Sequence, residues 1–532
     1  MKVDQPSDIN PGPETDYHQF IDPSKKWYKN RRLVVLNIWI FLLLITSTAN
    51  GYDGSMMNGL QLLAQWEEDF NFPSGSKLGL LGAIQNIGSL ASYPFTPYFA
   101  DGLGRKRTIF FGAVVMIAGA IIQTASQSVN MFIGARFMLG FGLGFCTNAA
   151  PMLVMEIAYP TQRAPIGSVY NALWPGGAFI ASWVTFGSFH ISNSWAWRLP
   201  SACQVIPSVF QFFLILFGPE SPRWLVAKNR EQEALETLAY YHADGHVNDP
   251  LIQFEYNEIC TAIEHEKLQM QTGWLQLFRT PGNRQRMRII LAIAFFSQWS
   301  GNGLVSYYLN QVFDTIGITN TVEQLLINAF LNMWSLILAV LGGLFCERVG
   351  RRPLFLISTA GMLLFFTLQT ICTSQYAIHG NKAAGNSVVA FIFLYSAAYA
   401  IAYSPLITSY TIEILPFNLR AKGFTIFSFA VSASLVFNQY INPIALTAIG
   451  WKYYIVYCAW ISFELVFIYF FLVETKNKTL EETAIIFDGE TSLAIFSKKA
   501  ISKVQQKGAD SPIDEKKSAD SIHMEENVAR LT

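Results

Sequence analysis

The chain has 532 residues, of which 52% are hydrophobic and only 14% charged, and acids balance bases to a formal net charge of zero. A soluble domain carries roughly 25% charged residues, so these proportions exclude an ordinary water-soluble protein of this size. The balanced charge gives no reason to expect nucleic acid as a partner. The six Cys, scattered singly with no C-x-x-C pair, imply neither a disulfide framework nor a thiolate metal site.

Residues 1–32 read as a polar tail that ends in Lys25, Lys26, Lys29, Arg31 and Arg32 and lacks the features of a signal or transit peptide. Six apolar runs follow, near 33–51, 78–98, 108–127, 131–151, 166–187 and 199–217. The first is expected to end at the glycine-broken Ala49-Asn-Gly-Tyr-Asp-Gly54. A polar, helix-rich stretch over 219–287 separates these from six more runs, near 288–312, 325–346, 354–374, 388–410, 421–442 and 451–473. Each run is about 20 residues, the length that crosses ~30 Å of hydrocarbon. Residues 475–532 are charged and low in apolar content, the composition of a disordered tail.

A long-period repeat runs through this pattern. Asp101-Gly-Leu-Gly-Arg-Lys-Arg107 returns as Glu347-Arg-Val-Gly-Arg-Arg352, and Glu156-Ile-Ala-Tyr-Pro-Thr-Gln-Arg163 returns as Glu413-Ile-Leu-Pro-Phe-Asn-Leu-Arg420. Repeats of this kind in an apolar chain indicate two membrane half-bundles. The expected fold is an all-α membrane protein of twelve transmembrane helices in two six-helix, pseudo-symmetric halves, 33–218 and 288–474. These are joined by a central loop, 219–287. Each twelve-helix unit would hold its own path, so a monomer in membrane lipid is expected. The basic clusters at 105–107, 163, 279–288, 348–352 and 420–422 all fall on one face, while Glu67, Glu68, Asp69, Asp314 and Glu323 fall on the other. By the positive-inside bias both tails and the central loop are cytoplasmic.

Charges inside the bilayer are costly and mark function. Asp53 closes the first run and Arg136 lies in the fourth; they should pair or face a wet cavity. A buried acid beside a mobile cation can take up and release a proton as the cavity changes access, which suits a proton-coupling site. Arg105, Glu156, Arg163, Glu220, Arg223, Glu347, Arg351, Glu413, Arg420 and Glu474 sit at helix ends on the basic face. They could form networks that close that face in one conformation and part in the other, or static pairs that orient the helix ends. In the seventh run Gln298, Asn302 and Ser306 are four apart, which on one helix places them on one face, with Tyr307 beside them. Amides and aromatic faces suit an uncharged, hydroxyl-rich solute. Asn171, Trp174, Asn438 and Asn442 are further candidates, and Gln85 a weaker one. Pro175 and Ser404-Pro405 are expected to interrupt the fifth and tenth runs.

Gly140, Gly142 and Gly144 lie in a membrane run and read as tight helix packing. No Walker loop or HExxH is present, so neither ATP-driven pumping nor metalloenzyme chemistry is supported. No cofactor is expected; a proton gradient is the suspected energy source. His242, His246 and His265 in the central loop are expected to be solvated.

Gly51-Tyr-Asp53, Asp101 to Arg107, Arg136, Glu156 to Arg163, Pro219-Glu-Ser-Pro-Arg223, Gln298 to Tyr308, Glu347 to Arg352, Glu413 to Arg420 and Glu474-Thr-Lys476 together resemble the sugar porter family of the major facilitator superfamily. The likeness spans nearly all of 33–480. The run from Ser297 to Tyr308 is similar to the fungal lactose and cellodextrin permease branch. The resemblance implies alternating access, with a sugar held between the halves by residues matching Asn171, Gln298 and Tyr307. It also implies Asp53 as the proton site of symporting members, with Arg136 as its partner, and it fits a plasma-membrane location. Four departures stand out: Ser297 replaces a glutamine, Gly303 replaces an asparagine with Asn302 beside it, Ser404-Pro405-Leu-Ile-Thr408 replaces Gly-Pro-x-x-Trp, and Asn477 replaces a glycine. The lost indole widens the site. The expectation is a secondary transporter, not an enzyme, that carries a disaccharide or another sugar larger than or different from glucose with protons. A carrier or exporter of a non-sugar secondary metabolite and an uncoupled hexose facilitator remain open.

Overall fold

The computed structural model describes residues 27–269, 274–415, 419–476 and 486–487. Eight helices are long and apolar enough to cross a bilayer, and the last, Lys422–Phe471, covers both the eleventh and twelfth runs. Among the described residues the second, fifth and seventh runs fall short of that mark. These three are helical nonetheless, at Gly75–Ser92, Arg163–Ser188 and Pro281–Trp299. The second packs on the eleventh and the fifth on the eighth, across the seam between the halves.

The first span, Arg31–Leu60, begins where the Asn30 side chain accepts from the backbone N–H of Arg32 and Leu33. It does not break at its glycines, as the sequence suggested, but runs on to Leu60. The reason is packing. A Cβ at Gly51 would lie 1.9 Å from the carbonyl oxygen of Trp174, and one at Gly177 would lie 2.0 Å from that of Thr48. The glycines let the first and fifth helices meet backbone to backbone. The fourth span, Val129–Ile157, uses the same device. Gly140 sits against the Gln85 carbonyl of the second span, and Gly142 against Gly112 of the third, Arg105–Thr124.

Two further expectations fail. The fifth helix is continuous through Pro175, and the tenth, Lys382–Ile414, through Pro405. Membrane helices tolerate proline when neighbours and local adjustment take up the freed backbone groups. The seventh run is the one that breaks. It divides into Pro281–Trp299, Asn302–Tyr307 and Leu309–Asp314, with Gly301 at φ +97°, in the left-handed region. Gln298 and Asn302 therefore lie on different helices, and the shared face that their spacing suggested does not form.

The sixth run is helical from Trp195 to Phe217. The eighth, ninth, eleventh and twelfth spans are Thr321–Val349, Arg351–His379, Arg420–Ile449 and Tyr453–Phe471. Each half has its own apolar core. One is built on residues such as Leu36, Leu139, Ala149 and Leu153, the other on Ile290, Phe355, Phe366, Leu406 and Ile461. Beneath the basic face lie the central helices Pro222–Ala227, Glu231–His242 and Pro250–Gln269.

Candidate functional site

Helix ends on the basic face are held by a matched pair of carboxylates. The third span starts after Gly104, at φ +101°, and its first N–H groups, from Arg105 and Lys106, point at Glu220, with Arg105 N 3.2 Å from Oε1. The ninth starts after Gly350, at φ +106°, and the N–H groups of Arg351 and Arg352 donate to the two oxygens of Glu474, both at 3.0 Å. Each helix thus receives an anion at its positive end. Only glycine fits between: a Cβ would fall 2.6 Å from Glu220 Oε2 at residue 104, and 3.0 Å from Glu474 Oε2 at residue 350. Burial lifts the Glu220 carboxyl above the usual glutamate range, against the pull of the Ser221, Lys106 and Arg105 donors.

The side chains extend the symmetry. Arg105 pairs with Glu156, Nε to Oε2 at 3.2 Å, and also with Asp101, while Arg351 pairs with Glu413, Nη2 to Oε1 at 3.0 Å. Each network is drawn from one half and binds the end of its third or ninth span to that half. Arg163 does not turn to Glu156; it pairs at 2.9 Å with Glu255 of the central loop. The other oxygen of Glu255 lies 2.7 Å from His242 Nδ1, and His242 Nε2 lies 3.1 Å from the Ile157 carbonyl. His242 is buried, not solvated as expected, because it links this loop to the end of the fourth span. Arg223 lies on Pro222–Ala227. The side chains of Glu347 and Arg420 lie outside the described residues.

The bonds that cross between halves cluster toward the opposite, acidic face. Asn58 Nδ2 donates to Asn328 Oδ1 at 3.2 Å, and Asn58 Oδ1 accepts from Leu309 N at 3.1 Å. Ser182 Oγ accepts from Asn332 at 2.7 Å and from Asn328 at 3.3 Å. Gln61 donates to the Tyr307 carbonyl and Asn86 to Gln439 Oε1. Tyr93 with Ser432, at 3.0 Å, lies furthest toward the basic face. Every one of these groups is uncharged.

Asp53 and Arg136 are both buried, at 1% and 2% exposure, and each senses the other's charge. No ion pair closes between them within 4.0 Å. Arg136 instead donates from Nη2 to Gln85 Oε1 at 2.8 Å, and its Nε and Nη1 have no partner, like Asp53 Oδ2. Of the two arrangements expected, a pair or a wet cavity, the close pair is not made here, and the weaker candidate Gln85 is the residue that holds the cation. Trp174 packs its ring edge 3.5 Å from the position of a Cβ on Gly54.

The break in the seventh span organises the remaining candidates. Gln298 and Tyr307 are half-buried on either side of it. Asn302 donates to the Ser297 carbonyl at 3.1 Å and to the Tyr399 hydroxyl at 3.2 Å, and its Oδ1 is unpartnered. Asn438 donates to the Gln298 carbonyl and accepts from Tyr457. Asn442 Oδ1 accepts from Tyr453 at 2.9 Å and Tyr457 at 2.7 Å. These two asparagines brace the break from behind. They also account for Gly303: a Cβ there would lie 2.4 Å from Asn438 Nδ2 and 3.0 Å from Asn442 Nδ2. The fifth helix carries Asn171, but that side chain lies outside the described residues.

One buried group was passed over in the sequence. Glu464 is the single acid inside the twelfth span, and it is fully buried. A lone charge in the middle of an apolar run was the signal for it, as it was for Arg136.

The profile of the family described as "Sugar (and other) transporter" matches residues 39–487. The chain belongs to that family. An MFS-type transporter of Aspergillus oryzae, oryC, is 31% identical, over 86% of this chain and 87% of the relative. The high-affinity glucose transporter of Kluyveromyces lactis is 26% identical, over 84% of each. The inward-open structure of the xylose transporter XylE from E. coli superposes with a TM-score of 0.71 at 21% identity, covering 85% of this chain and 100% of that one. The fold is thus the major facilitator fold. As a family member the chain is a multi-pass membrane transporter, not an enzyme.

Proposed function

We propose that this transporter carries a sugar, a disaccharide or another sugar unlike glucose, together with protons, by alternating access across the plasma membrane, with both tails cytoplasmic. One observation carries the reading: a buried acid and a buried cation that face each other unpaired, with the cation parked on Gln85. Such a pair has two states. With the acid protonated the cation needs no partner beyond the amide; with the acid ionised, closure of the pair is favoured. A change of proton occupancy can then bias the packing of the second and fourth spans, which lie next to the seam.

The solute would sit at the seam, where Gln298, Asn302 and Tyr307 offer amide and phenol groups from the broken seventh span, with Asn171 opposite. The absence of an indole at Thr408 favours a solute larger than glucose. On this reading the uncharged bonds around Asn58 and Asn328 close the extracellular side, and the structure is inward-facing. The paired charges at Arg105 and Arg351 keep each half rigid at the cytoplasmic side while the halves rock. The chemistry supports a sugar, since no charged group lies among these solute-facing candidates.

Uptake of labelled lactose, cellobiose and glucose in yeast lacking its own hexose carriers, with and without a protonophore, tests this. Accumulation of at least one sugar that collapses with the protonophore is expected, and Asp53→Asn should remove accumulation while leaving exchange. Accumulation that ignores the protonophore sinks the proton role. A second reading, a carrier for a non-sugar metabolite, is motivated by the departures at Ser297, Gly303 and Ser404 to Thr408; transport of none of the sugars would select it.

A further inference from the structure

Glu464 has no place in the mechanism above, and its surroundings are unusual. It shares the buried face of the twelfth span with Tyr457, Ile461 and Ile468, so it points into its half-bundle and away from lipid. Both of its carboxyl oxygens are buried without a hydrogen-bond partner. The seventh and ninth spans pack on this helix. Neither offers a charge: there is no Lys, Arg, His, Asp or Glu from Ile289 to Phe313, or from Pro353 to Ile378. The tenth, uncharged from Ala383 to Ile412, contributes the hydroxyls of Tyr395, Tyr399 and Tyr403, which feel the charge on Glu464. Trp460, one turn earlier on the same helix, is a nearby donor whose own Nε1 is unsatisfied. A carboxylate ionised here would have no counter-ion from the seventh, ninth or tenth span, and burial strongly disfavours such an unpaired charge, so these surroundings suit the neutral form.

Neutrality alone would make it a structural donor, but its neighbours connect it to the part of the fold that moves. The half-buried Tyr399 donates to the Ser297 carbonyl at 2.8 Å and accepts from Asn302 at 3.2 Å. Those two residues flank the left-handed Gly301. Trp460 packs on Trp299, the last residue before the break, with ring centroids 5.6 Å apart. Any repacking of the seventh span as the halves rock therefore moves the wall of the Glu464 pocket, and the unpartnered Asn302 Oδ1 is a ready site for an entering water.

We propose that Glu464 is a second proton-carrying group of this transporter, loaded in the conformation seen here and unloaded when movement of the seventh span admits water. In the unloading step the carboxyl O–H bond breaks, its electron pair stays on the carboxylate, and the proton passes to water as hydronium; loading is the reverse. The inference rests on the proton-coupled reading above.

The test is infrared difference spectroscopy of the purified full chain, comparing the unmodified protein with Glu464→Gln, a neutral isostere that keeps the fold. A protonated-carboxyl C=O band is expected in the unmodified protein and absent from the variant, and it should lose intensity as pH is raised. A Glu464 band that is constant across the titration, or no such band at any pH, would overturn the proposal. In proteoliposomes loaded with a pH dye, and with whichever of lactose, cellobiose or glucose is transported, Glu464→Gln should lower the protons moved per sugar below the unmodified value. An unchanged ratio would also overturn it. If the unmodified protein moves sugar without protons, the coupling reading fails, and the infrared titration still decides whether Glu464 exchanges its proton.

Discussion

Asn58→Ala should unbalance the two faces of the transporter. Asn58 makes two bonds across the seam, to Asn328 at 3.2 Å and from Leu309 N at 3.1 Å. Asn328 Oδ1 keeps a second donor in Asn332, so losing the first bond is softened. The Leu309 N–H is different: it opens a short helix, is buried, and loses its acceptor outright. A net bond of about 1 kcal/mol and an unsatisfied buried donor of about 1 kcal/mol or more give about 2 kcal/mol against the closed acidic face. That is about a 30-fold shift toward the conformation open on that face. Spin labels at Glu68 and Glu323, exposed on the acidic face of either half, read the change by double electron–electron resonance. The longer distance should gain population in Asn58→Ala. Asn381→Ala removes a cap on the same face but within one half, and should leave the distribution as it was. Identical distributions in Asn58→Ala and the unmodified protein would refute the assignment of this contact as a gate.

Gly104→Ala and Gly350→Ala should each lower the thermal stability of the detergent-purified protein by the equivalent of about 1–3 kcal/mol, the strain of a side chain in a glycine-only backbone region. The effect should be larger at 104, where the approach of the carboxylate is closer. Equal stability in all three proteins would disprove the capping geometry. Because burial raises the Glu220 carboxyl, the folded chain binds its proton more tightly than the unfolded chain. The stability it contributes is full below the ordinary glutamate range and is lost as pH rises through the raised value. The melting-temperature gap between the unmodified protein and Glu220→Gln should therefore narrow from acid to neutral pH; parallel curves would contradict this. Thr408→Trp should restore a stacking surface and shift uptake toward glucose at the expense of larger sugars, measured by competition. Unaltered selectivity would remove Thr408 from the site.

The sequence revealed the architecture because its governing signals are local. Apolar runs of bilayer length and basic turns ending at Arg107 and Arg352 need no knowledge of neighbours. Breaks were harder to read. Gly51 and Pro175 carry the composition of an interruption, yet both lie inside continuous helices, because what decides a break is the partner helix against them. Gly301, with the same composition, does break its helix. Charges behaved likewise. That Arg136 would be buried was readable from its run, whereas its hydrogen bond to Gln85 depends on how the second and fourth spans pack. Arg163 was readable as a helix-end charge, but its partner was not, because Glu255 reaches it at 2.9 Å only once the central loop folds back.

The matched carboxylates at Glu220 and Glu474 have a consequence for how the polypeptide is assembled. Each pins a helix start within its own half, from a point just past that half's last span, so neither bundle borrows its fastening from the other. The helix Pro250–Gln269 belongs with the first bundle, through Glu255. Two separately translated fragments, divided between Gln269 and Gln276, would each contain a complete set of clasps, and co-expression should reconstitute the transporter from two chains.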